Sequence, residues 1–560
     1  MLYDFVFDVE KCDWEMWSLR VPDYTEPSPF KYGDIMVPTT DSVLYTFLLE
    51  LLAEKKPILF VGDSGTAKTQ TIMKYMRGLD RQSYNLLNIN LSSRTTSADL
   101  QINIEGNIDK RSGAIYGPSA GKRLSVFIDD LNMPKLDAYG TQQPLTWVQT
   151  LMSRGFFYDR EKDLNQKIVK DLEYIGAMGP PGGGRNPITP RMYALFNTIN
   201  IADPSQTVLN RILSSILIQR FTPFNDDVKE AVKKIPKALL EIFGFVVQSL
   251  PPTPTKFHYL FNLRDLSRVT EGVCLAVLDK FDSGAGIARL FRNETTRVFC
   301  DRLATDVDVN LVTGKIKECL TSNFGTGAAD VANKDPLLFG DFALAKGRIA
   351  EDKEDPRLYE DLGDYNDIQT NFDAILELYN GEHTTKLGLV MFEAALEHMT
   401  RILRILNRGH ALLIGVGGSG KQSNVHLASY CAGYRVFTVQ LTRGYNETLF
   451  REDIKVLYQD LASIPTTFLF TDAHVVEEGF LESINGMLNT GFVPALFEKD
   501  EMDGLINKYR KDAKAADPDC TTGPMIFDYW LNRCRANLRK LIGIFFTFVS
   551  LLTWTPYSMN

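Results

Sequence analysis

Disulfide chemistry has little to work with in this chain. Its seven cysteines, Cys12, Cys274, Cys300, Cys319, Cys431, Cys520 and Cys534, are scattered through 560 residues with no C-x-x-C pair. That spacing argues against a disulfide framework or a cysteine-held metal centre and suits a reducing compartment. Histidine is scarcer still, with six dispersed residues. An excess of basic charge is also missing. Lys+Arg number 61 against 70 Asp+Glu, a net charge of −9, and without a long basic run no nucleic-acid surface is advertised. The apolar run over 541–554 is broken by Gly543, Thr547, Ser550 and Thr553, short of the roughly 18–20 residues that cross a bilayer, so no membrane partner is expected. The opening Met1-Leu2-Tyr3-Asp4-Phe5 lacks the basic flank of a signal peptide. What is present is ample apolar material, 44% of residues with 11% aromatic, enough for several cores in about three or four domains.

The chain is organised around Gly62-Asp63-Ser64-Gly65-Thr66-Ala67-Lys68-Thr69, which follows the apolar run Pro57-Ile58-Leu59-Phe60-Val61 and precedes a helical pattern over 70–76. In that strand, loop and helix order, backbone N–H groups converge on phosphate oxygens, a lysine reaches the outer phosphates and a hydroxyl holds Mg²⁺. Lys68 and Thr69 supply the last two. Ala67 stands where the second fixed glycine of the pattern is expected, placing a methyl group on a backbone that must approach phosphate. The same order returns at Ala411-Leu412-Leu413-Ile414, leading into Gly415-Val416-Gly417-Gly418-Ser419-Gly420-Lys421-Gln422-Ser423. This repeat predicts two nucleotide-binding modules in series. In the second loop both glycines are intact, but Gln422 takes the hydroxyl position and the hydroxyl slips to Ser423.

Each loop is followed by an apolar strand ending in acid. Leu124-Ser125-Val126-Phe127-Ile128 ends in Asp129-Asp130, and Thr467-Phe468-Leu469-Phe470-Thr471 ends in Asp472. The first acid of such a pair holds Mg²⁺ from its far side and the next polarises the attacking water. Asp129 fits the first role, Asp130 is one methylene shorter than a glutamate, and Ala473 leaves the second module without that acid. Glu477 and Glu478 come later, on the expected next helix. Helical spacing is expected over 41–54, 226–239 and 290–303, strands over 86–91 and 172–178, an inserted hairpin over 101–116, and a solvated Gly/Asp/Lys-rich link after Gly325. Trp14 and Trp17 read as an aromatic anchor in the opening stretch.

Phe127-Ile128-Asp129-Asp130-Leu131-Asn132-Met133-Pro134, Gly179-Pro180-Pro181-Gly182-Gly183-Gly184-Arg185-Asn186 and Tyr259-Leu260-Phe261-Asn262-Leu263-Arg264-Asp265-Leu266-Ser267-Arg268 together resemble the third AAA+ module of a dynein heavy chain, of axonemal wording. The second loop and its acid resemble the fourth. The resemblance implies an α/β fold of tandem AAA+ P-loop modules, each a parallel sheet flanked by helices with a helical lid, the second incomplete. Its expected divisions are a connector over 1–40, a first module over 41–325, a linker over 326–383, a second module over 384–540 and a divergent tail over 541–560. It implies ATP or ADP with Mg²⁺ as ligands. Gly179 then stands where a polar sensor is usual, Arg191 resembles an arginine finger acting on a preceding module, and Arg264 resembles a second sensor. Without the resemblance, both arginines read equally well as surface ion-pair partners. The implied partners are the other modules of the ring, intermediate and light chains, and microtubules reached indirectly, in the cytoplasm, cytoskeleton and ciliary axoneme. An independent P-loop ATPase that remodels a partner, or a nucleotide-stapled scaffold, are the competing readings.

Overall fold

The computed structural model describes residues 4–539 and 557–559, apart from 10, 120, 161–163, 183, 352–353, 408, 416–418, 478, 490, 494–495, 519 and 521–522. The chain divides into two compact units, one of residues 1–215 with 485–495 and one of residues 216–484 with 496–560.

In the first unit, α1 (Thr40–Leu52) opens on a reciprocal cap in which Thr39 and Ser42 satisfy each other's backbone N–H groups. It leads into β1 (Ile58–Gly62), then α2 (Lys68–Gly78), β2 (Tyr84–Asn90), α3 (Ser97–Glu105), β3 (Arg123–Asp129), β4 (Leu172–Met178) and β5 (Asn197–Ile201). The strands form one sheet in the order β5-β1-β4-β3-β2, parallel throughout. A parallel sheet is covered on both faces, which is why its strands read as near-continuous apolar runs. Alternation sorts their side chains: Ile58, Phe60, Phe127 and Ile175 join one cluster, whereas Leu59, Val126, Ile128 and Tyr174 join the other. The β1 terminus must be glycine, because a β-carbon on Gly62 would lie 2.4 Å from the Ile201 carbonyl oxygen of β5. The phosphate loop leaves the C-terminal end of β1, between β5 and β4.

The segment expected as a hairpin over 101–116 is helical at its start. Thr96 and Asp99 form a capping box for α3, and only Asp109–Ser112 and Ile115–Gly117 pair as a hairpin. In the opening stretch, Trp17 is buried against Phe47, while Trp14 is exposed and meets Phe7 edge-on.

The second unit carries α4 (Asp226–Ser249), α5 (Leu263–Val273), α6 (Gly284–Phe299), α7 (Asp306–Phe324) and α8 (Thr326–Ala332). α4 runs ten residues past the expected end at 239, with Pro236 buried inside it. α6 is buried along most of its length. The stretch after Gly325 is not a solvated link: Leu338, Phe342, Ala345 and Phe372 are core residues. Sparse apolar anchors between its Gly, Asp and Lys residues were enough to fold it onto α9 (Tyr365–Glu382), α10 (Glu393–Leu406) and α11 (Lys421–Ala432), whose residues share that core. Arg435–Phe437, Thr466–Phe468 and Leu538–Arg539 form a short parallel sheet. Of the tail, 541–556 lie outside the described residues, and Tyr557–Met559 pairs antiparallel with His410–Leu412.

Candidate nucleotide site

Lys68 begins α2, and no side chain caps that helix, so its first backbone N–H groups are left directed into the loop. The Lys68 ammonium donates to Gly62 O at 2.8 Å, Asp63 O at 2.5 Å and Thr66 Oγ1 at 3.2 Å. Burial pushes its pKa down, opposed by the negative charge of Asp129. A buried cation held on loop carbonyls beside an uncapped helix N-terminus fits a phosphate group, which would offer it the counter-charge that carbonyls lack.

Ala67, just before the helix, sits at φ 60° and ψ 19°, in the left-handed region. The matching residue of the second loop, Gly420, has φ 70° and ψ 11°. The loop thus keeps the glycine conformation with an alanine in it, at a cost of about 1 kcal/mol or more. The departure in sequence is absorbed as backbone strain, and the turn survives.

Thr69 Oγ1 donates to Asp129 Oδ2 at 2.7 Å, bringing together the hydroxyl and the carboxylate expected to flank Mg²⁺. Burial raises the Asp129 pKa, the Thr69 hydrogen bond opposes the rise, and the neighbouring Asp130 charge adds to it. Donors of this hard oxygen type suit Mg²⁺. Asp130 follows at φ 50°, a left-handed conformation rare outside glycine. Its backbone N–H donates to Asp129 Oδ1 at 2.9 Å. Its carboxylate faces Arg185, whose Nη2 is 3.8 Å from Asp130 Oδ1. Sequence reasoning gave Arg185 no role of its own. It also passed over Asn132, which is buried and donates through Nδ2 to Gly179 O at 2.8 Å. The signal for both was present in the Gly179–Asn186 wording, but only three-dimensional proximity assigns them.

In the second loop Gly417 and Gly418 lie outside the described residues, as does Glu478. Lys421 Nζ donates to Gly415 O and Ser419 Oγ, each at 2.9 Å. Burial lowers its pKa, and Asp472 pulls the other way. Gln422 is exposed and Ser423 half-buried on the first turn of α11, while Asp472 opens a 3-10 turn after the Thr466–Phe468 strand. Ala473 and Glu477 are exposed. Arg191 is exposed on the short Pro190–Tyr193 helix of the first unit. Arg264 is exposed on the first turn of α5, in the second unit.

Away from the loops, Glu294 on α6 is fully buried. It accepts from Arg404 Nη2 at 3.2 Å, Arg297 Nη2 at 3.0 Å and the Tyr359 hydroxyl at 2.7 Å. Burial opposes its ionisation, but Arg404 and Arg297 outweigh it and bring the pKa down to about 2. A β-carbon on Gly272 would lie 2.0 Å from Glu294 Oε2, so the glycine is the floor on which the carboxylate rests. All seven cysteines are free. Among the described residues there is no His/Cys/Asp/Glu group able to hold a metal by itself and no helix long and apolar enough to cross a membrane.

The sheet order, with the phosphate-loop strand between β5 and β4, is joined by independent comparisons. Residues 24–204 match the family described as P-loop containing dynein motor region, residues 387–547 the P-loop containing dynein motor region D4, and residues 237–331 the AAA+ lid domain. The chain is 44% identical over 561 aligned positions to dynein axonemal heavy chain 10 of Homo sapiens, covering 99% of this chain and 12% of that protein. It is 44% identical over 551 positions to the dynein-1-alpha heavy chain of the flagellar inner arm I1 complex of Chlamydomonas reinhardtii, covering 97% of this chain and 12% of that one. The chain belongs to the dynein heavy chain family. It carries AAA+ P-loop motor domains of axonemal type and spans about an eighth of the length of these relatives. The dynein motor match includes residues 541–547, beyond the expected end of the second module.

Proposed function

We propose that this dynein region binds ATP·Mg²⁺ at its first loop and a nucleotide less dependent on metal at its second, as regulatory sites in a larger mechanochemical ring. The observation that carries the reading is the Thr69–Asp129 hydrogen bond beside the buried Lys68 ammonium, a metal-ligand pair and a phosphate cation at one helix N-terminus. Lys68 neutralises the outer phosphates, the N–H groups of the first turn of α2 orient them, and Thr69 with Asp129 holds the metal. A Mg²⁺ ion held by Thr69 and Asp129 would supply charge neutralisation to the phosphates. Asp130, short by one methylene, orients the attacking water poorly, and Ala473 does not orient it at all, so both sites retain more than they hydrolyse. Arg191 acts in trans on a preceding module and Arg264 responds to the γ phosphate. The partners are the other modules of the ring, intermediate and light chains and, through a stalk lying elsewhere, microtubules. The role is ATP-driven, minus-end-directed movement in the cytoskeleton of the ciliary axoneme. Adenine nucleotide is expected to co-purify with the chain under mild conditions and be identified by chromatography; a chain that carries none and takes up none would overturn the reading.

The two loops are expected to differ in their need for metal. Gln422 offers Mg²⁺ a weaker ligand than the Thr69 hydroxyl, so EDTA should weaken binding of a fluorescent ATP analogue at the first site far more than at the second. Equal loss at both, measured in Lys68→Ala and Lys421→Ala chains, would contradict that difference.

A further inference from the structure

Gly179 directly follows β4, which pairs with the phosphate-loop strand β1, at the position where the resemblance expects a polar sensor. The space is not empty. A β-carbon built on Gly179 would lie 2.8 Å from Arg185 Nε, 2.9 Å from its Cδ and 3.1 Å from its Cζ. Arg185 therefore lies across the glycine and fills the volume that a side chain at 179 would take.

The loop is built to deliver it there. Gly182 and Arg185 exchange backbone hydrogen bonds at 3.0 Å in each direction, closing a tight turn. Gly182 at φ 125° and Gly184 at φ 88° take conformations that a side chain would strain. Asn186 anchors the exit, its N–H donating to Asn132 O and its Nδ2 to Pro134 O, each at 2.9 Å. The same Asn132 holds the Gly179 carbonyl at 2.8 Å. Both ends of the turn are thus tied to the segment that follows Asp129 and Asp130.

The guanidinium so placed has capacity to spare. Among the described residues its ion pair is with Asp130, long at 3.8 Å, and its buried Nε has no hydrogen-bond partner. It is also near enough to Lys68 to disfavour that ammonium's charge. Two cations near enough to repel, one of them with an unpaired buried donor, are in want of an anion, and a planar guanidinium is the side chain best matched to a phosphate edge.

We infer that Arg185 is the γ-phosphate sensor of the first site, substituting in cis for the side chain that Gly179 lacks and exchanging its Asp130 pairing for the γ phosphate when ATP rather than ADP is bound. The exchange frees the Asp130 carboxylate, so occupancy by triphosphate is coupled to the residue next to the metal-side acid. This inference rests on the first loop binding nucleotide, as proposed above.

The test compares equilibrium affinities for ADP and for a non-hydrolysable ATP analogue in the full chain, with Lys421→Ala silencing the second loop. Arg185→Gln is expected to lower affinity for the ATP analogue on the order of tenfold or more, the worth of one charge-assisted contact, and to leave ADP within about twofold. Gly179→Ala displaces the arginine and is expected to shift the ratio in the same direction, with the double variant no weaker than Arg185→Gln alone. Arg185→Lys, which keeps the charge without the planar fork, should recover part of the loss. Thermal melting alongside identifies any variant that has simply lost its fold, and Arg185→Lys then carries the comparison. A ratio of ATP-analogue to ADP affinity that ignores all three substitutions, while Lys68→Ala still abolishes binding, would overturn the sensor and leave the nucleotide site standing. Indifference to Lys68→Ala as well would remove the site itself.

Discussion

Lys68→Ala is expected to lower the affinity of the first site for ATP·Mg²⁺ by on the order of a hundredfold or more. The ammonium is buried, with its charge disfavoured by that burial, and its partners in this structure are carbonyl and hydroxyl oxygens. A phosphate offers it one or two charge-assisted bonds, each worth roughly 1.5–3 kcal/mol, and about 3 kcal/mol is more than a hundredfold in Kd. Relief of the buried charge adds to the preference for bound anion. The fold should tolerate the change, because the strand and helix flanking the loop are fixed by packing of Phe60, Ile72 and Met76. Titration of a fluorescent ATP analogue into the Lys421→Ala chain, with and without Lys68→Ala, measures the effect. Unchanged affinity would sink the assignment of this loop.

Loss of Arg404 is expected to be the most damaging substitution in the second unit, at roughly 3–5 kcal/mol. The side chain is itself buried and bonded to the fully buried Glu294. Breaking a buried ion pair from one side leaves a charge stranded, which costs far more than the net worth of the pair. Arg297 still contacts the same carboxylate at 3.0 Å, which places Arg404→Met toward the lower end of that range. The sign of the pH dependence follows from the depressed Glu294 pKa. A carboxyl brought down to about 2 in the fold, from about 4.3 unfolded, contributes stability that is complete above the unfolded value and lost as pH falls toward 2, about 3 kcal/mol in all. Hydrogen-exchange protection of α6 amides should therefore fall between about pH 4.5 and 2, and Glu294→Gln should flatten that fall. Protection in α6 that is independent of both Arg404 and acid would contradict the network's role.

How much of this was legible before folding varies residue by residue. Strand β4 was readable to its bounds over 172–178 because a parallel strand is apolar on both faces, and the two phosphate loops because glycine, lysine and hydroxyl must recur at fixed spacing to do their chemistry. The inserted segment over 101–116 was legible only in its second half, where Asp109–Ser112 and Ile115–Gly117 pair, since the Thr96–Asp99 capping box that starts α3 lies upstream of it. The stretch after Gly325 misled for the opposite reason: its charged residues outnumber its anchors, yet Leu338, Phe342 and Phe372 are almost wholly buried. Asp130 was identified by type, but its left-handed backbone was not, because only contact with its neighbours shows that conformation to be held. Arg185 and Glu294 were invisible as site and core residues, since a lone arginine after glycines and a glutamate on a helix read as solvated until Gly179 and Gly272 are seen to make room for them.

Steady-state phosphate release by the purified chain, measured alongside the adenine nucleotide it retains, decides whether this dynein region holds ATP without turning it over rapidly. Asp130 is short by one methylene of the usual glutamate, Ala473 is not an acid, and the role proposed for Arg191 is toward a preceding module. A poorly placed or absent catalytic acid weakens the transition state alone, so the rate falls while ground-state affinity is spared. Retained nucleotide with release well below about 1 s⁻¹, the low end of ordinary enzyme rates, is the expected result. Release above that rate and abolished by Lys68→Ala would contradict it: Asp130 would then be a competent catalytic acid, and the chain an ATPase in its own right.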